Sequence, residues 1–200
     1  MALAFLLGFL LGALALAALE AAAALLLVRR LRRKQAAPAD APAVSLIAAA
    51  SFLETFAGIL SGEDIVAHVG RKSAPERFAA WIADPASRVT LATHPDGDAP
   101  VGYSLLTTPE DVGAVRPGDI ELRRIYTLSV ARGTGLGAAL MAQAIADARA
   151  MGHDRMLLGV LATNRRACNF YERQGFAIVG ERRFLVGATW HDDRVYARAI

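Results

Sequence analysis

Apolar and polar positions recur at two spacings, and the change of spacing divides the chain into helices and strands. Apolar residues three or four positions apart predict helices, whereas alternating or short continuous apolar runs predict strands. The first predicted elements are helices at 44–57, 61–70 and 74–84, then strands at 88–94, 101–108 and 120–128. The later ones are a helix at 136–152, a strand at 155–162, a helix at 164–175, and strands at 176–186 and 193–200. This order predicts a mixed α/β sheet with helices on its faces, and the apolar run at 155–162 suits a central, parallel strand.

The N-terminal part of the chain follows neither spacing. Residues 1–28 contain a single charged side chain, Glu20. This length suffices for one membrane-spanning helix. Five basic residues lie within the next segment, 29–35, and favour a cytoplasmic position for the chain that follows. We therefore predict a single-pass anchor over 1–28 in a bacterial inner membrane, a basic juxtamembrane segment over 29–35, and a cytoplasmic domain over 36–200.

Other interpretations of the apolar segment stay open. In a cleaved secretory signal the positive charges would come before the apolar run, but here they follow it. A packed helix of a cytoplasmic protein is favoured by Glu20, because a carboxylate near the centre of a spanning helix costs roughly 3 kcal/mol. A start codon assigned too early could also have added the segment.

Charge and cysteine content change this picture little. The chain has 22 basic and 19 acidic residues, and five of the basic ones lie within 29–35, so the predicted domain is close to neutral. This balance gives no indication of nucleic-acid binding. The one cysteine, Cys168, cannot form an internal disulfide and suits a reducing compartment. The four histidines are scattered without metal-binding spacing, so we expect no metal.

The segment RGTGLG, residues 132–137, places three glycines at alternate positions directly before a predicted helix. Glycine lets a ligand approach the backbone, and the first N–H groups of a helix attract anions, phosphate above all. No Lys-Ser/Thr pair follows, as a Walker loop requires, and the glycine spacing differs from that of a dinucleotide-binding fingerprint. On its own, the segment is either a phosphate site or a tight structural turn.

Two motifs together resemble the GNAT family, the acetyl-CoA-dependent N-acetyltransferases. The first motif is an Arg-x-x-Gly-x-Gly loop, which Arg132, Gly135 and Gly137 match. The second is an asparagine followed seven residues later by a tyrosine within a YxxxGF segment, which Asn164 and Tyr171 match. This context favours the phosphate-site interpretation of the glycine loop.

The resemblance covers about residues 33–200 and implies a GNAT fold, an α/β fold whose mixed, mostly antiparallel twisted sheet is flanked by helices. Segments such as SFLETFAG, LLGVLATN and DRVYARAI look like the bacterial polyamine acetyltransferase branch. The implied activity is direct transfer of an acetyl group from acetyl-CoA to a primary amine, with a polyamine as the leading acceptor. A protein lysine or N-terminal acetyltransferase and a non-catalytic acyl-CoA sensor remain alternatives, and a homodimer is left open.

The family resemblance also implies roles for positions of this chain. Backbone N–H groups of the glycine loop should hold the CoA pyrophosphate, and the end of the preceding strand should bond the pantetheine amides. These positions are Arg132, Gly133, Thr134, Gly135, Leu136 and Gly137 in the loop, and Ile125, Tyr126 and Thr127 in the strand. Asn164 should bind the cofactor side of the cleft. Tyr171 should donate a hydrogen bond or proton to the departing thiolate, and Glu121 should act as general base, directly or through water.

Some of these residues also have simpler interpretations. Tyr171 could be a core residue, and Glu121 could pair with Arg123 or Arg124 on its own strand. Arg123 also stands where this branch usually has an acidic residue. A cation facing the cleft would repel a polyamine, so an anionic or peptide amine stays open as the acceptor.

Overall fold

The computed structural model describes residues 15–16, 31–110, 114–186 and 189–200. The predicted anchor over 1–28 lies outside the described residues apart from 15–16, and it stays a prediction. Within the described residues, the chain forms a seven-stranded sheet flanked by helices.

The strands are β1 (Arg32–Gln35), β2 (Arg88–Thr93), β3 (Pro100–Thr107), β4 (Asp119–Thr127), β5 (Arg155–Leu161), β6 (Ala177–Val186) and β7 (Thr189–Ala199). Their order across the sheet is β1-β2-β3-β4-β5-β7-β6. Neighbours pair antiparallel except β4 and β5, which run parallel. This confirms the mixed, mostly antiparallel sheet and the central, parallel position of β5.

The edge strand β1 is an element that the sequence does not predict. Its four residues are polar and exposed, so they carry no apolar alternation, and they fall within the predicted basic segment. The structure pairs them antiparallel with β2. Cationic side chains on an edge strand discourage pairing with another chain. β7 also begins at Thr189, earlier than the predicted 193, because the hairpin with β6 extends its pairing.

The helices are α1 (Ala41–Phe56), α2 (Gly62–Lys72), α3 (Pro75–Ala83), α4 (Leu136–Ala150) and α5 (Arg165–Arg173). They lie where the sequence predicts them, with ends shifted by a few residues. Ser61 caps α2, because its side-chain oxygen accepts a hydrogen bond from the Asp64 N–H at 3.0 Å. The helix then continues past the predicted end at Gly70, a residue that costs about 1 kcal/mol inside a helix.

The helices cover the two faces of the sheet. On one face, α1 and α3 pack on β2 and β3 through buried residues such as Ile47, Phe78 and Tyr103. On the other face, α4 and α5 pack on the central strands through residues such as Met141 and Tyr171. The inner face of α4 is formed by four buried residues, Leu136, Leu140, Ala144 and Ala148.

One stretch of the described residues, Pro38–Phe56, is long and apolar enough to cross a membrane by length and composition. It consists of a short 3-10 turn followed by α1. Val44, Ile47 and Ala48 of this helix are at most 1% exposed and pack against the sheet. This packing makes α1 a core helix of the domain.

β4 and β5 stay paired over only a short distance. Residues 119–121 pair with 155–157, after which the two strands part. β4 continues to Thr127 along β3, and β5 continues to Leu161 along β7. The inner edges of both strands therefore border an opening in the middle of the sheet.

Candidate active site

A cavity of about 770 Å³ lies where β4 and β5 part. Its loop half is lined by the glycine loop, the start of α4, the end of β5 and α5. Its opposite half is lined by α1, α2, α3, β6 and β7, and side chains of β4 contribute to both halves. Every predicted site residue except Thr134 lines this one cavity.

The glycine loop makes a left-handed turn before α4. Gly133 and Gly135 have φ of 75° and 88°, a conformation that costs other residues about 1–2 kcal/mol. The Thr134 side chain stabilises the turn, since its hydroxyl donates a hydrogen bond to the Ala131 carbonyl at 2.7 Å. The first N–H groups of α4 have no acceptor inside the helix and lie at the loop half. The loop therefore combines a tight turn with the free N–H groups of a helix N-terminus.

Glu54 of α1 fixes the start of this loop. Its carboxylate accepts hydrogen bonds from the N–H and the hydroxyl of Ser129 at 2.7 and 2.9 Å, and lies 3.4 Å from the Arg132 guanidinium. The sequence gives no indication of this role, because the contact joins segments 75 residues apart.

The structure gives Asn164 a structural role, whereas its cofactor role stays a prediction. It is the N-cap of α5, and its side-chain oxygen accepts a hydrogen bond from the Ala167 N–H at 3.2 Å. This hydrogen bond occupies the side-chain oxygen of Asn164 and fixes the orientation of its amide group. The side-chain NH₂ group of Asn164 is then available as a donor at the loop half.

Tyr171 lies on α5 among three aromatic rings. Its ring centroid is 5.4 Å from that of Phe170, 6.2 Å from Phe176 and 6.3 Å from Tyr196. Burial raises the pKa of Tyr171, with a smaller contribution from Cys168. No hydrogen-bond partner of its hydroxyl is found among the described residues. The ring of Tyr171 therefore belongs to the core, and its side chain also lines the cavity, whereas its role in the reaction stays a prediction.

The end of β4 brings Ile125, Tyr126 and Thr127 to the cavity. Gly102 on β3 permits this arrangement, because a Cβ there would lie 3.0 Å from the Tyr126 carbonyl oxygen and 3.2 Å from the side chain of Leu136. A larger residue would press on the side chain of Leu136 in the first turn of α4. Burial raises the pKa of Tyr126, whose ring stacks on Tyr103 at 5.9 Å.

Glu121 is buried and ion-paired on both sides. Its Oε2 accepts from the Nε and Nη2 of Arg123 at 3.0 and 2.8 Å, and from the Glu110 N–H at 3.3 Å. Its Oε1 accepts from Arg182 at 3.3 Å. The predicted pairing with Arg123 is therefore present, whereas Arg124 donates elsewhere, to the Lys72 carbonyl at 2.8 Å.

Arg182 is a site residue that the sequence analysis missed. It reaches from β6 to Asp193 of β7 and to Glu121 of β4, with distances of 3.3 Å in both ion pairs. The Arg182 side chain can reach Glu121 because it crosses Gly159 of β5, where a Cβ would overlap the Arg182 guanidinium. A glycine inside the apolar run of β5 is the signal that could have indicated a close approach. Burial raises the pKa of Asp193, while Arg182 opposes that effect.

Comparisons with known proteins agree with this architecture. A family model described as "Acetyltransferase (GNAT) family" matches residues 53–176. An uncharacterized N-acetyltransferase of Mycobacterium tuberculosis is 35% identical over 161 residues, which are 80% of this chain and 98% of that protein. The chain therefore belongs to the GNAT family. It is an N-acetyltransferase, an acyltransferase that acts on amines, which confirms the predicted enzyme class.

Solved structures share the fold at low sequence identity. The PaiA N-acetyltransferase of Thermoplasma acidophilum, in complex with coenzyme A, aligns with a TM-score of 0.69 and 18% identity, over 85% of this chain and 99% of that one. A putative acetyltransferase, YncA, of Salmonella typhimurium with acetyl-CoA aligns with a TM-score of 0.64 and 20% identity, over 84% and 93%. Both structures hold the CoA moiety in the fold found here.

Among the described residues, no group of three or more His, Cys, Asp or Glu side chains could hold a metal ion. Cys168 of α5 is a free, buried cysteine whose side chain packs in the core.

Proposed function

We propose that this enzyme transfers the acetyl group of acetyl-CoA directly to a primary amine. The observation that carries the proposal is the convergence of three kinds of donor on one cavity. These are the N–H groups at the start of α4, the Asn164 amide and the Tyr171 hydroxyl. All three lie where β4 and β5 leave their inner edges unpaired with each other.

The loop half suits a pyrophosphate attached to an extended chain. Left-handed glycines leave the backbone accessible, and the start of α4 favours negative charge. Arg132, Arg166 and Arg173 also line the cavity and supply positive charge. The free edge of β4 at 125–127 can bond amide groups in the manner of an added strand. These residues fit acetyl-CoA, which supplies an activated acetyl thioester when bound.

Each of the remaining steps is assigned to a residue of this chain. The backbone N–H near Thr127 stabilises negative charge that develops on the acetyl oxygen. Tyr171 donates a hydrogen bond to the departing thiolate, and its raised pKa keeps the phenol protonated for this role. The acceptor amine occupies the opposite half and attacks directly, with no acyl-enzyme.

Glu121 is our candidate for the base that takes the amine proton, through its Oε1. Oε2 already accepts three hydrogen bonds, whereas Oε1 accepts one and can accept another from the amine or a water. Its two arginine partners also support a purely structural role. Glu121→Gln separates these roles: a base mutant loses kcat most at low pH, where the amine is most protonated, whereas a structural mutant loses activity equally at all pH values.

The acceptor is a primary amine, and a polyamine is the finer expectation from the sequence. The cations that line the opposite half give the polyamine little support, because Lys72, Arg77 and Arg124 would repel a polycation. A lysine or N-terminus of a protein is a second acceptor class, and an acyl-CoA sensor without turnover is the non-catalytic alternative.

The experiment that tests the function uses the full chain in detergent with acetyl-CoA and a panel of primary amines, including spermidine and a lysine peptide. Free thiol and the mass of the acetylated amine are measured together. Turnover of any amine supports the proposal. Acetyl-CoA binding without turnover of the panel favours the sensor, and absence of binding contradicts the assigned site.

We also propose attachment to the inner membrane through residues 1–28, supported by the single charge in that segment and by the basic residues after it. β1 follows directly, so its exposed cationic side chains would lie close to anionic headgroups. Release of the full chain from membranes by a carbonate wash would contradict a spanning helix.

A further inference from the structure

The opposite half of the cavity contains cations in two different states. Arg123 and Arg182 are neutralised, because they share Glu121 and also reach Glu110 and Asp193. A second group consists of Lys72, Arg77 and Arg124, which line the same cavity. Within the part of the chain that the structure describes, no carboxylate lies within 4.0 Å of any of these three.

The two arginines of this second group, Arg77 and Arg124, are held in place by other contacts. Arg124 donates to the Lys72 carbonyl at 2.8 Å and approaches the Ser73 hydroxyl at 3.4 Å. Its guanidinium and that of Arg77 both lie 5.2 Å from the centre of the Trp81 ring. Two cations on one indole, next to a lysine, repel one another, so an anion bound among them would lower the free energy of the site.

Neighbouring groups indicate the same kind of ligand. Desolvation by burial and the nearby cations lower the pKa of Lys72, so its environment disfavours further positive charge. Its main opposing influence is Glu110, a residue of the same cavity whose carboxylate lies 3.6 Å from Arg123. His68 is 5% exposed, and its Nδ1 has no hydrogen-bond partner among the described residues.

We propose that the acceptor carries an anionic group, a carboxylate or phosphate, in addition to its primary amine, and that Lys72, Arg77 and Arg124 bind this group. This proposal rests on the proposed function, because it names the acceptor class for the same site. Lys72, Arg77 and Arg124 form a wall of the cavity where α2 and α3 meet β4. An anionic group bound at this wall leaves the amine to point toward β4 and the thioester.

Matched pairs of amines test the proposal with the full-length enzyme. Each pair differs only in the anionic group: 4-aminobutyrate against butylamine, and O-phosphoethanolamine against ethanolamine. We expect kcat/KM to be at least 10-fold higher for one or both anionic members, the order of effect of one hydrogen bond to a charged group. The preferred pair distinguishes carboxylate from phosphate. Equal turnover within both pairs, or a preference for spermidine, overturns the proposal while leaving acetyl transfer intact.

Variants of the wall connect the preference to these residues. Lys72→Met and Arg77→Gln should each reduce the ratio of kcat/KM between the anionic amine and its partner by roughly 10-fold. Arg149→Gln, an equal change of charge on the outer end of α4, is the matched control and should leave the ratio unchanged. A ratio that is the same in the wall variants and the wild type also overturns the proposal.

A binding measurement decides the case if no amine is turned over. Titration of the acetyl-CoA complex with 4-aminobutyrate and with phosphate, followed by calorimetry, should show binding to the wild type that is at least 10-fold weaker in Lys72→Met. Absence of anion binding, or equal binding in both proteins, contradicts the anion site. Failure to bind acetyl-CoA at all contradicts the proposed function instead, so the two failures are distinguishable.

Discussion

The loop half and the opposite half of the cavity are built in different ways. The loop half is made mainly of backbone groups from the short segment 132–137 and of the start of α5, so its parts are close together in the sequence. The opposite half is made of charged and aromatic side chains from elements far apart in the sequence, such as Glu121 and Arg182, which lie 61 residues apart. A backbone site depends on glycine and helix geometry, whereas a side-chain site depends on which elements pack together.

Among the variants that distinguish the two halves of the cavity, we expect Tyr171→Phe to have the largest effect, a decrease in kcat. Loss of the hydroxyl should lower kcat about 100-fold, the lower end for general acid–base catalysis, and leave the Kd for acetyl-CoA unchanged. Steady-state kinetics and calorimetry check this. Tyr196→Phe removes a nearby hydroxyl that donates to Glu172 at 3.0 Å, and serves as the control. Equal losses in the two variants would mean that Tyr171 acts only through packing.

The next effect should come from Gly135→Ala, which tests the loop half alone. The variant should weaken acetyl-CoA binding by about 10-fold or more, because a left-handed alanine strains the turn that presents the N–H groups. Gly152→Ala is a matched control, since Gly152 also has φ of 88° and lies at the far end of α4. Both variants should lose similar stability in urea. Equal loss of acetyl-CoA affinity would contradict a cofactor role for the loop.

Gly159→Ala should affect the opposite half and the stability of the sheet. The added methyl group displaces Arg182, and we expect a loss of about 2 kcal/mol in the free energy of unfolding, typical of overpacking. The double variant Gly159→Ala/Arg182→Met should be more stable than the sum of the two single changes predicts. Urea unfolding of the four proteins measures this coupling. Strict additivity would show that the two residues do not compete for space.

The smallest effect should be a pH dependence due to His68. Burial, together with the cations Arg124, Lys72 and Arg71, lowers the pKa of His68 to about 4. The unfolded chain therefore takes up this proton at a higher pH than the folded one, so stability falls as the pH drops from about 6.5 toward 4. Between pH 7 and 5.5 this contributes about 1 kcal/mol.

Thermal melting across this range checks the prediction, with His68→Phe as the comparison. The phenylalanine keeps a ring that can stack on Phe52, whose centroid lies 4.2 Å from that of His68. The variant should show a flatter decline of Tm between pH 7 and 5.5. The same slope in both proteins would mean that other groups cause the acid instability.

The sequence predicts the loop half better than the opposite half, because a backbone site within one continuous segment depends on local sequence alone. Gly133, Gly135 and the start of α4 lie in one continuous segment, whose spacing predicts both the turn and the helix. The GNAT fold and the enzyme class follow from this segment together with Asn164 and Tyr171. Residue roles beyond that remain proposals.

Contacts between residues that are far apart in the sequence cannot be predicted in this way. The path of Arg182 to Glu121 joins residues 61 positions apart, and only packing of β5, β6 and β7 brings them together. The four polar residues of β1 form a strand because β2 offers an unpaired edge, not because of their own pattern. The neutral balance of the domain also hides the local excess of cations at Lys72, Arg77 and Arg124.

The short pairing between β4 and β5 has a mechanical consequence. Strands β1–β4 and β5–β7 are joined across the sheet by pairing of residues 119–121 with 155–157, and by the ion pair of Glu121 with Arg182. The sheet therefore divides into two groups of strands that pair over this short distance, and the cavity lies between their open ends. A change in the angle between the two groups at this short pairing would change the width of the cavity with little disturbance inside either group of strands.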